Sequence, residues 1–153
     1  MVHGQVNAPT LDLANLELVK SHMPAIWLAE TGKRRGNSVR DRLDMNSPAA
    51  LPVTEGGTVA GIMSERDVIY CLRSHGAEVL DWPVRKVMTS PAITAEPSTE
   101  VLSALALMTQ RRIRHLPVVE GGKLCGMVSI GDLVKFRMDR VEAEADAMRM
   151  YIQ

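Results

Sequence analysis

The chain contains an ungapped internal repeat, and this repeat constrains its fold more than any other feature of the sequence. Residues 51–68 read LPVTEGGTVAGIMSERDV and residues 116–133 read LPVVEGGKLCGMVSIGDL, so nine of the eighteen positions are identical at an offset of 65. Self-similarity at a fixed spacing is typical of a duplicated structural unit. The 153 residues are therefore predicted to contain two copies of one unit.

Each copy is predicted to form a strand, a tight turn, a second strand and the start of a helix. Glu-Gly-Gly between two apolar runs is typical of a hairpin, because glycine adopts positive φ without steric cost. Gly61 and Gly126 interrupt the second strands, and glycine inside a strand often marks the close approach of a ligand or another backbone. The later of these strands, residues 124–128, is apolar enough to predict burial on both faces.

The other elements follow from hydrophobic spacing and from capping residues. The spacing predicts a short strand at 92–94 and helices over residues 39–45, 67–75, 84–88, 101–112 and 130–153. In the last helix, apolar residues follow one another at steps of 4, 3, 4, 3 and 4, which is the spacing of a coiled-coil seam: Val134, Met138, Val141, Ala145, Met148 and Ile152. This seam indicates either a dimer contact or a helix that folds back on its own core.

Composition excludes several classes of function. The formal net charge is zero and 46% of the residues are hydrophobic, so we expect a globular protein with neither a nucleic-acid nor a membrane partner. The sequence has neither a signal peptide nor a membrane-spanning run, which favours the cytoplasm. Cys71 and Cys125 match no metal or redox spacing and are predicted to be buried free thiols. No catalytic or metal-ligand set is recognisable, so we expect no enzyme.

The two Gly-h-h-Ser-x-x-Asp stretches resemble tandem cystathionine-β-synthase (CBS) domains, also called a Bateman module, of the stand-alone bacterial type. Val87-Met88-Thr89, the helix from Thr99 and the stretch from Gly126 to Asp132 support the resemblance. It extends from about residue 47 to the end, and residues 1–46 depart from the pattern. The resemblance implies an α+β fold of two β-α-β-β-α repeats, packed as a pseudo-symmetric pair, with a long C-terminal helix.

The same resemblance sets the expected boundaries and the expected ligand. We predict that residues 1–46 form an atypical N-terminal part of the first repeat and 47–78 its remainder. Residues 79–140 form the second repeat, and 141–153 a helical tail. The family implies two clefts that hold adenine nucleotides such as AMP, ADP, ATP or NAD, with AMP favoured and no catalytic cofactor. It also implies a homodimer and a regulated protein partner that the sequence does not identify.

Two interpretations of Ser-x-x-Asp remain open. It matches a capping box, in which serine and an acidic side chain satisfy the free N–H groups of the first helical turn. In an adenosine site, Asp132 or Asp67 would accept hydrogen bonds from both ribose hydroxyls, and the helix N-terminus would favour phosphate.

Arg114 and His115 favour a phosphate site in the second repeat. The alternative is that both are solvated surface side chains without a ligand. The first repeat has Ala49 and Ala50 at the matching places, so we expect unequal sites. In sequence order, the candidate nucleotide-binding residues are Ser64, Arg66, Asp67, Thr94, Arg114, His115, Pro117, Ser129, Gly131 and Asp132. The main alternative is a scaffold that binds no nucleotide and acts through its CBS faces and C-terminal helix.

Overall fold

The computed structural model describes residues 29–30, 38–43 and 49–152. Its described part has a single mixed sheet in the order β1-β2-β3-β5-β4. The strands are β1 (Ala29–Glu30), β2 (Ala50–Glu55), β3 (Thr58–Ser64), β4 (His115–Glu120) and β5 (Lys123–Ser129). The helices are α1 (Val39–Arg42), α2 (Glu65–His75), α3 (Val84–Val87), α4 (Val101–Arg111) and α5 (Ile130–Tyr151), and a 3-10 helix covers Gly76–Asp81.

The two predicted hairpins are present and nearly superimposable in register. Ala50 pairs with Ser64 in the first hairpin and His115 pairs with Ser129 in the second. The first turn has φ of 58° at Gly56 and 84° at Gly57, and the second has 56° and 80° at its two glycines. Two successive positive φ values define a type I′ turn, which matches the twist of the flanking strands. The duplicated unit inferred from the sequence is therefore confirmed.

A parallel strand lies beside each hairpin. β1 pairs in parallel with β2, with Ala29 opposite Val53. In the second repeat Ala95 pairs in parallel with Val118, and its amide N–H donates to the Pro117 carbonyl at 2.9 Å. The strand predicted at 92–94 was wrong, because the backbone pairs only at Ala95. Ala29 and Ala95 occupy equivalent places, and the two repeats thus form the predicted α+β pair.

Each repeat has its own core, completed in a different way. In the second repeat α4 covers the sheet, and Ala104, Met108, Leu116 and Val118 are buried together. In the first repeat the described part of the first helix is only the four residues of α1. Side chains from the segment between the repeats fill that core, with Val79, Val84 and Val87 packed beside Val39 and Val53.

Gly61 shows why the first hairpin requires a glycine. The chain leaving α3 crosses β3 and exchanges two backbone hydrogen bonds between Thr89 and Ile62, at 3.0 and 2.8 Å. A Cβ at Gly61 would lie 2.6 Å from the Thr89 carbonyl oxygen and 2.8 Å from the Met88 sulfur. The predicted close approach at this glycine is therefore an approach of backbone.

Two predictions about burial were wrong. Cys125 is exposed and Cys71 is half-buried, although both are free thiols as expected. β5 is not buried on both faces, because burial alternates along it: Gly126 and Val128 face the core, while Cys125 lies on the other side. Alternation of this kind is typical of a strand with one covered face.

The long C-terminal helix is present as α5, and only its first turns contact the core. Leu133 is buried, and Ile130 and Phe136 pack against the second core. The predicted seam residues beyond this point are exposed, with Met138 at 58%, Met148 at 68% and Ile152 at 86% of full exposure. Within the described residues α5 therefore does not fold its seam back on the core. None of the helices that the structure describes combines the length and apolar character needed to cross a membrane.

Candidate functional site

The candidate site of the second repeat lies where β4 begins and α5 starts. His115 pairs with Ser129 across the hairpin, and the Ile130 N–H donates to the Arg114 carbonyl at 2.8 Å. These two links fix Arg114 and His115 beside the N-terminus of a 22-residue helix. The Arg114 guanidinium, a histidine that can take up a proton and a helix N-terminus together form an electrostatically suitable environment for an anion.

Ser129 and Asp132 form a complete capping box at this helix start. The Ser129 N–H and hydroxyl donate to Asp132 Oδ2 at 3.0 and 2.7 Å, and the Asp132 N–H donates to Ser129 Oγ at 3.1 Å. The capping interpretation of the motif is therefore confirmed. The box uses only one carboxylate oxygen, and Oδ1 of Asp132 has no hydrogen-bond partner among the described residues. The box leaves that oxygen available to accept from a ligand.

His115 is half-buried, and burial lowers its pKa below the ordinary value of 6.5. The Asp132 carboxylate opposes this shift, the Arg114 guanidinium adds to it, and Glu65 of the first repeat opposes it. The imidazole is therefore mainly neutral at pH 7. Its protonated form would be favoured by any added negative charge nearby.

The remaining predicted residues of the second repeat surround this corner less closely. Thr94 is exposed and directly precedes Ala95, which pairs with β4. Pro117 is buried in β4, and its carbonyl accepts from the Ala95 N–H, so it can contribute only apolar lining. Gly131 is exposed in the first turn of α5, and a Cβ there would meet only the Ser129 hydroxyl, at 3.7 Å.

The first repeat has the same capping box but a different neighbour. Ser64 N–H and hydroxyl donate to Asp67 Oδ2 at 2.7 and 2.6 Å. The Thr89 hydroxyl then donates to Asp67 Oδ1 at 2.9 Å, so both oxygens of this carboxylate have partners. Arg66 is exposed. Ala49, whose carbonyl accepts from the Glu65 N–H at 3.0 Å, stands where the second repeat has Arg114.

Sequence reasoning missed two residues at these sites. Thr89 was considered only as part of a family signature, yet its hydroxyl donates a hydrogen bond to Asp67 Oδ1. Glu65 was not considered, yet its carboxylate acts on His115 across the repeats. An isolated sequence cannot reveal either contact, because each joins segments that only the packed repeats bring together. Among the described residues no group of three or more His, Cys, Asp or Glu side chains could hold a metal ion.

Comparison with known proteins agrees with this geometry. The family model described as "CBS domain" matches residues 84–139. The CBS domain-containing protein YhcV of Bacillus subtilis is 31% identical over 101 residues, covering 66% of this chain and 71% of that protein. The chain belongs to the CBS-domain family. Proteins of this family are typically regulatory modules.

Other CBS proteins show both the extent and the limits of the likeness. The mitochondrial CBS protein CBSX3 of Arabidopsis thaliana is 36% identical over 116 residues, covering 72% of this chain but only 56% of that protein. A solved structure of a putative signal-transduction protein from Burkholderia ambifaria MC40-6 is 32% identical with a TM-score of 0.66, covering 82% of this chain and 93% of that one. The structure of CBSX2 in complex with AMP has 23% identity and a TM-score of 0.64, covering 84% and 97% of the two chains, and shows a shared fold.

Proposed function

We propose that this chain is a regulatory CBS module that binds an adenine nucleotide, AMP foremost, beside the N-terminus of α5. The observation that carries the proposal is Oδ1 of Asp132, which has no hydrogen-bond partner among the described residues and is held by the capping box next to Arg114 and His115. The AMP complex of CBSX2 supports the choice of nucleotide, because that protein shares the fold. ADP, ATP and NAD present the same adenosine group and are the next candidates.

The adenosine ribose fits the carboxylate of Asp132. Two neighbouring hydroxyls can donate to one ionised carboxylate, and charge-assisted hydrogen bonds are about twice as strong as neutral ones. The capping box fixes the side chain before ligand arrives, so little rotamer entropy is lost on binding. Thr94 and the buried ring of Pro117 line the same end of β4 in this proposal.

The phosphate fits the cationic side of the corner. Arg114 is exposed and can form paired N–H···O contacts with a phosphate, while His115 can donate one hydrogen bond. The first-turn N–H groups of α5, at Gly131 and its neighbours, add their partial positive charge. A nucleoside without phosphate should therefore bind less tightly than AMP.

The first repeat is proposed to be the weaker or unoccupied site. Thr89 already donates to the second oxygen of Asp67, and Ala49 and Ala50 provide no cation. Arg66 is the one cation that the first-repeat motif could contribute. We therefore expect one nucleotide per chain.

Binding would act as a signal by changing how the repeats, or two copies of the chain, pack together. This requires that the nucleotide bind one packing more tightly than the other. Glu65 offers a physical link, because a phosphate beside His115 would also repel that carboxylate across the repeats. A regulated partner protein in the cytoplasm would respond to the changed packing.

A thermal-shift panel tests the proposal. AMP, ADP, ATP, NAD and GTP are each added well above a plausible Kd, and a ligand at a hundredfold its Kd should stabilise the protein by about 2.7 kcal/mol. For a chain of this size, that stabilisation corresponds to a rise in Tm of about 5–11 °C. A shift with AMP and none with GTP is expected. A flat panel on folded protein would contradict nucleotide binding.

A scaffold that binds no nucleotide is the second candidate, favoured by the exposed seam of α5. Its prediction is the opposite result in the same panel: no shift with any nucleotide on folded protein.

A further inference from the structure

The exposed side of α5 carries an apolar surface that no described residue covers. We call the six residues of the heptad spacing the α5 seam, and they are Val134, Met138, Val141, Ala145, Met148 and Ile152. All except the half-buried Ala145 are exposed, from 43% at Val134 to 86% at Ile152. An apolar stripe of this spacing is suited to a second helix with the same spacing.

The charges that flank the α5 seam identify the partner. In the heptad, Arg137 and Glu144 precede seam residues, while Glu142 and Arg149 follow seam residues. When two such helices run in parallel and in register, each preceding position faces the following position five residues later on the other helix. Arg137 then faces Glu142 of the partner subunit, and Glu144 faces Arg149 of the partner subunit. Both pairs are attractive, and symmetry repeats them.

The antiparallel arrangement with full overlap is repulsive instead. It places Glu142 opposite the partner's Glu142, and Lys135 opposite the partner's Arg149. A shift of one heptad removes this repulsion, but it leaves Met148 and Ile152 without a facing seam residue. Only the parallel register combines all six seam layers with complementary charge.

We propose that α5 pairs with α5 of a second copy of this chain as a parallel, in-register two-stranded coiled coil. Arg137 and Glu142 have no hydrogen bond or ion pair within the described part of the chain, so this pair is free to form between helices. Glu144 and Arg149 already contact Arg140 and Asp146 on their own helix, at 3.4 and 2.8 Å, and can share these partners. The apolar seam supplies the affinity, and the charges select the register. Because the seam is short, the dimer should be reversible and depend on concentration.

Charge reversal tests the register without touching the nucleotide site. Sedimentation equilibrium of the full chain should give a dimer for the natural sequence and mostly monomer for Glu142→Arg, which places like charges opposite each other. Arg137→Glu combined with Glu142→Arg should restore the dimer. Arg137→Glu combined with Glu144→Arg should abolish the parallel dimer, because both changes place like charges opposite each other. A dimer that survives this exchange would indicate the shifted antiparallel register and overturn the proposal. A natural chain that is monomeric at all concentrations, or a dimer indifferent to Glu142→Arg, would also overturn it.

A cysteine placed in the α5 seam reports the orientation directly. In a Cys71→Ala, Cys125→Ser background, Met148→Cys should form a disulfide dimer on mild oxidation, because residue 148 meets its own copy only in the parallel arrangement. Ala143→Cys lies on the opposite side of the helix and is the matched control, for which little dimer is expected. A dimer that persists while Met148→Cys fails to crosslink would overturn the parallel arrangement.

Discussion

The two repeats share their hairpin and capping box and differ in the residues next to the capping carboxylate. Both have the same hairpin register, the same type of turn and the same Ser-x-x-Asp capping box. In the first repeat the carboxylate of Asp67 has both oxygens engaged, and alanines occupy the two positions that match Arg114 and His115. In the second, one oxygen of Asp132 has no partner in the described part of the chain and lies beside Arg114 and His115. The comparison teaches that this motif is primarily a helix cap, and that its neighbours decide whether it can also bind.

The cores differ in the same way. The second repeat covers its sheet with the eleven residues of α4. In the described part of the first repeat, the four residues of α1 and the segment that connects the repeats take this place. That segment ends at Thr89, whose hydroxyl donates a hydrogen bond to Asp67 Oδ1. The same segment between the repeats thus fills the core of the first repeat and provides the hydrogen bond to the second oxygen of Asp67.

The largest expected effect comes from a matched pair of core substitutions. Leu116→Ala and Leu51→Ala remove equivalent buried side chains, exposed by 0% and 3%. Each should lower the free energy of unfolding by about 2–5 kcal/mol, measured by urea denaturation. Leu116→Ala should also weaken AMP binding, because β4 carries Arg114 and His115. Equal loss of AMP binding in both variants would show that the repeats do not act separately.

The next largest effect distinguishes the two carboxylates. Asp132→Asn keeps an acceptor for the cap but removes the charge, so AMP affinity should fall by about 10- to 100-fold, equivalent to the loss of one hydrogen bond to a charged group. Asp67→Asn is the matched control and should leave AMP affinity unchanged. Calorimetric titration of both variants checks this. An effect of Asp67→Asn as large as that of Asp132→Asn would reverse the assignment of the sites.

Arg114→Ala tests the phosphate contact. AMP affinity should fall about tenfold, at the lower end of the roughly 1.5–3 kcal/mol that one charge-assisted hydrogen bond contributes, because Arg114 is exposed. Adenosine affinity should not change. Arg66→Ala is the control from the first repeat, with no expected effect on either ligand. Equal weakening of AMP and adenosine by Arg114→Ala would argue against a phosphate contact.

A graft should make the repeats more alike. Thr89→Val releases Asp67 Oδ1, and Ala49→Arg with Ala50→His supplies the missing cations. The triple variant should bind a second, weaker AMP, so that the stoichiometry rises from one towards two. Thr89→Val alone, which adds no cation, is the control. No second site in the folded triple variant would mean that the difference between the repeats lies elsewhere.

The smallest expected effect concerns protons. A bound phosphate should raise the lowered pKa of His115, so AMP binding near pH 7 should take up a fraction of a proton, and affinity should rise as the pH falls. Titrations in buffers of different ionisation enthalpy measure the uptake. Since the AMP phosphate itself titrates, His115→Gln is the control that isolates the histidine contribution. The same uptake in His115→Gln would exclude this residue.

The direction in which pH changes the stability of the protein without ligand follows from the same lowered pKa of His115. Since the pKa of His115 is lower in the folded state than its ordinary 6.5, the unfolded chain binds more protons below that pH. The contribution of this group to stability is therefore present above pH 6.5 and lost as the pH falls through the folded pKa.

The hairpins and the helix starts of both repeats could be predicted from the sequence, because their signals are local. Glu-Gly-Gly specifies a turn, Ser-x-x-Asp specifies a helix start, and both signals occur twice. The opening strand β1 was missed, although Ala29-Glu30 matches Ala95-Glu96 at an offset of 66, one residue more than the offset of the hairpins. That single insertion hid the match. The Thr89–Asp67 bond and the exposure of Cys125 depend on tertiary packing, which local patterns do not encode.

Calorimetric titration of AMP into the unmodified chain tests the central claim most directly. The asymmetry of the two repeats predicts saturable binding of one AMP per chain. Two equivalent sites per chain would contradict the asymmetry, and no binding to folded protein would contradict the nucleotide site itself.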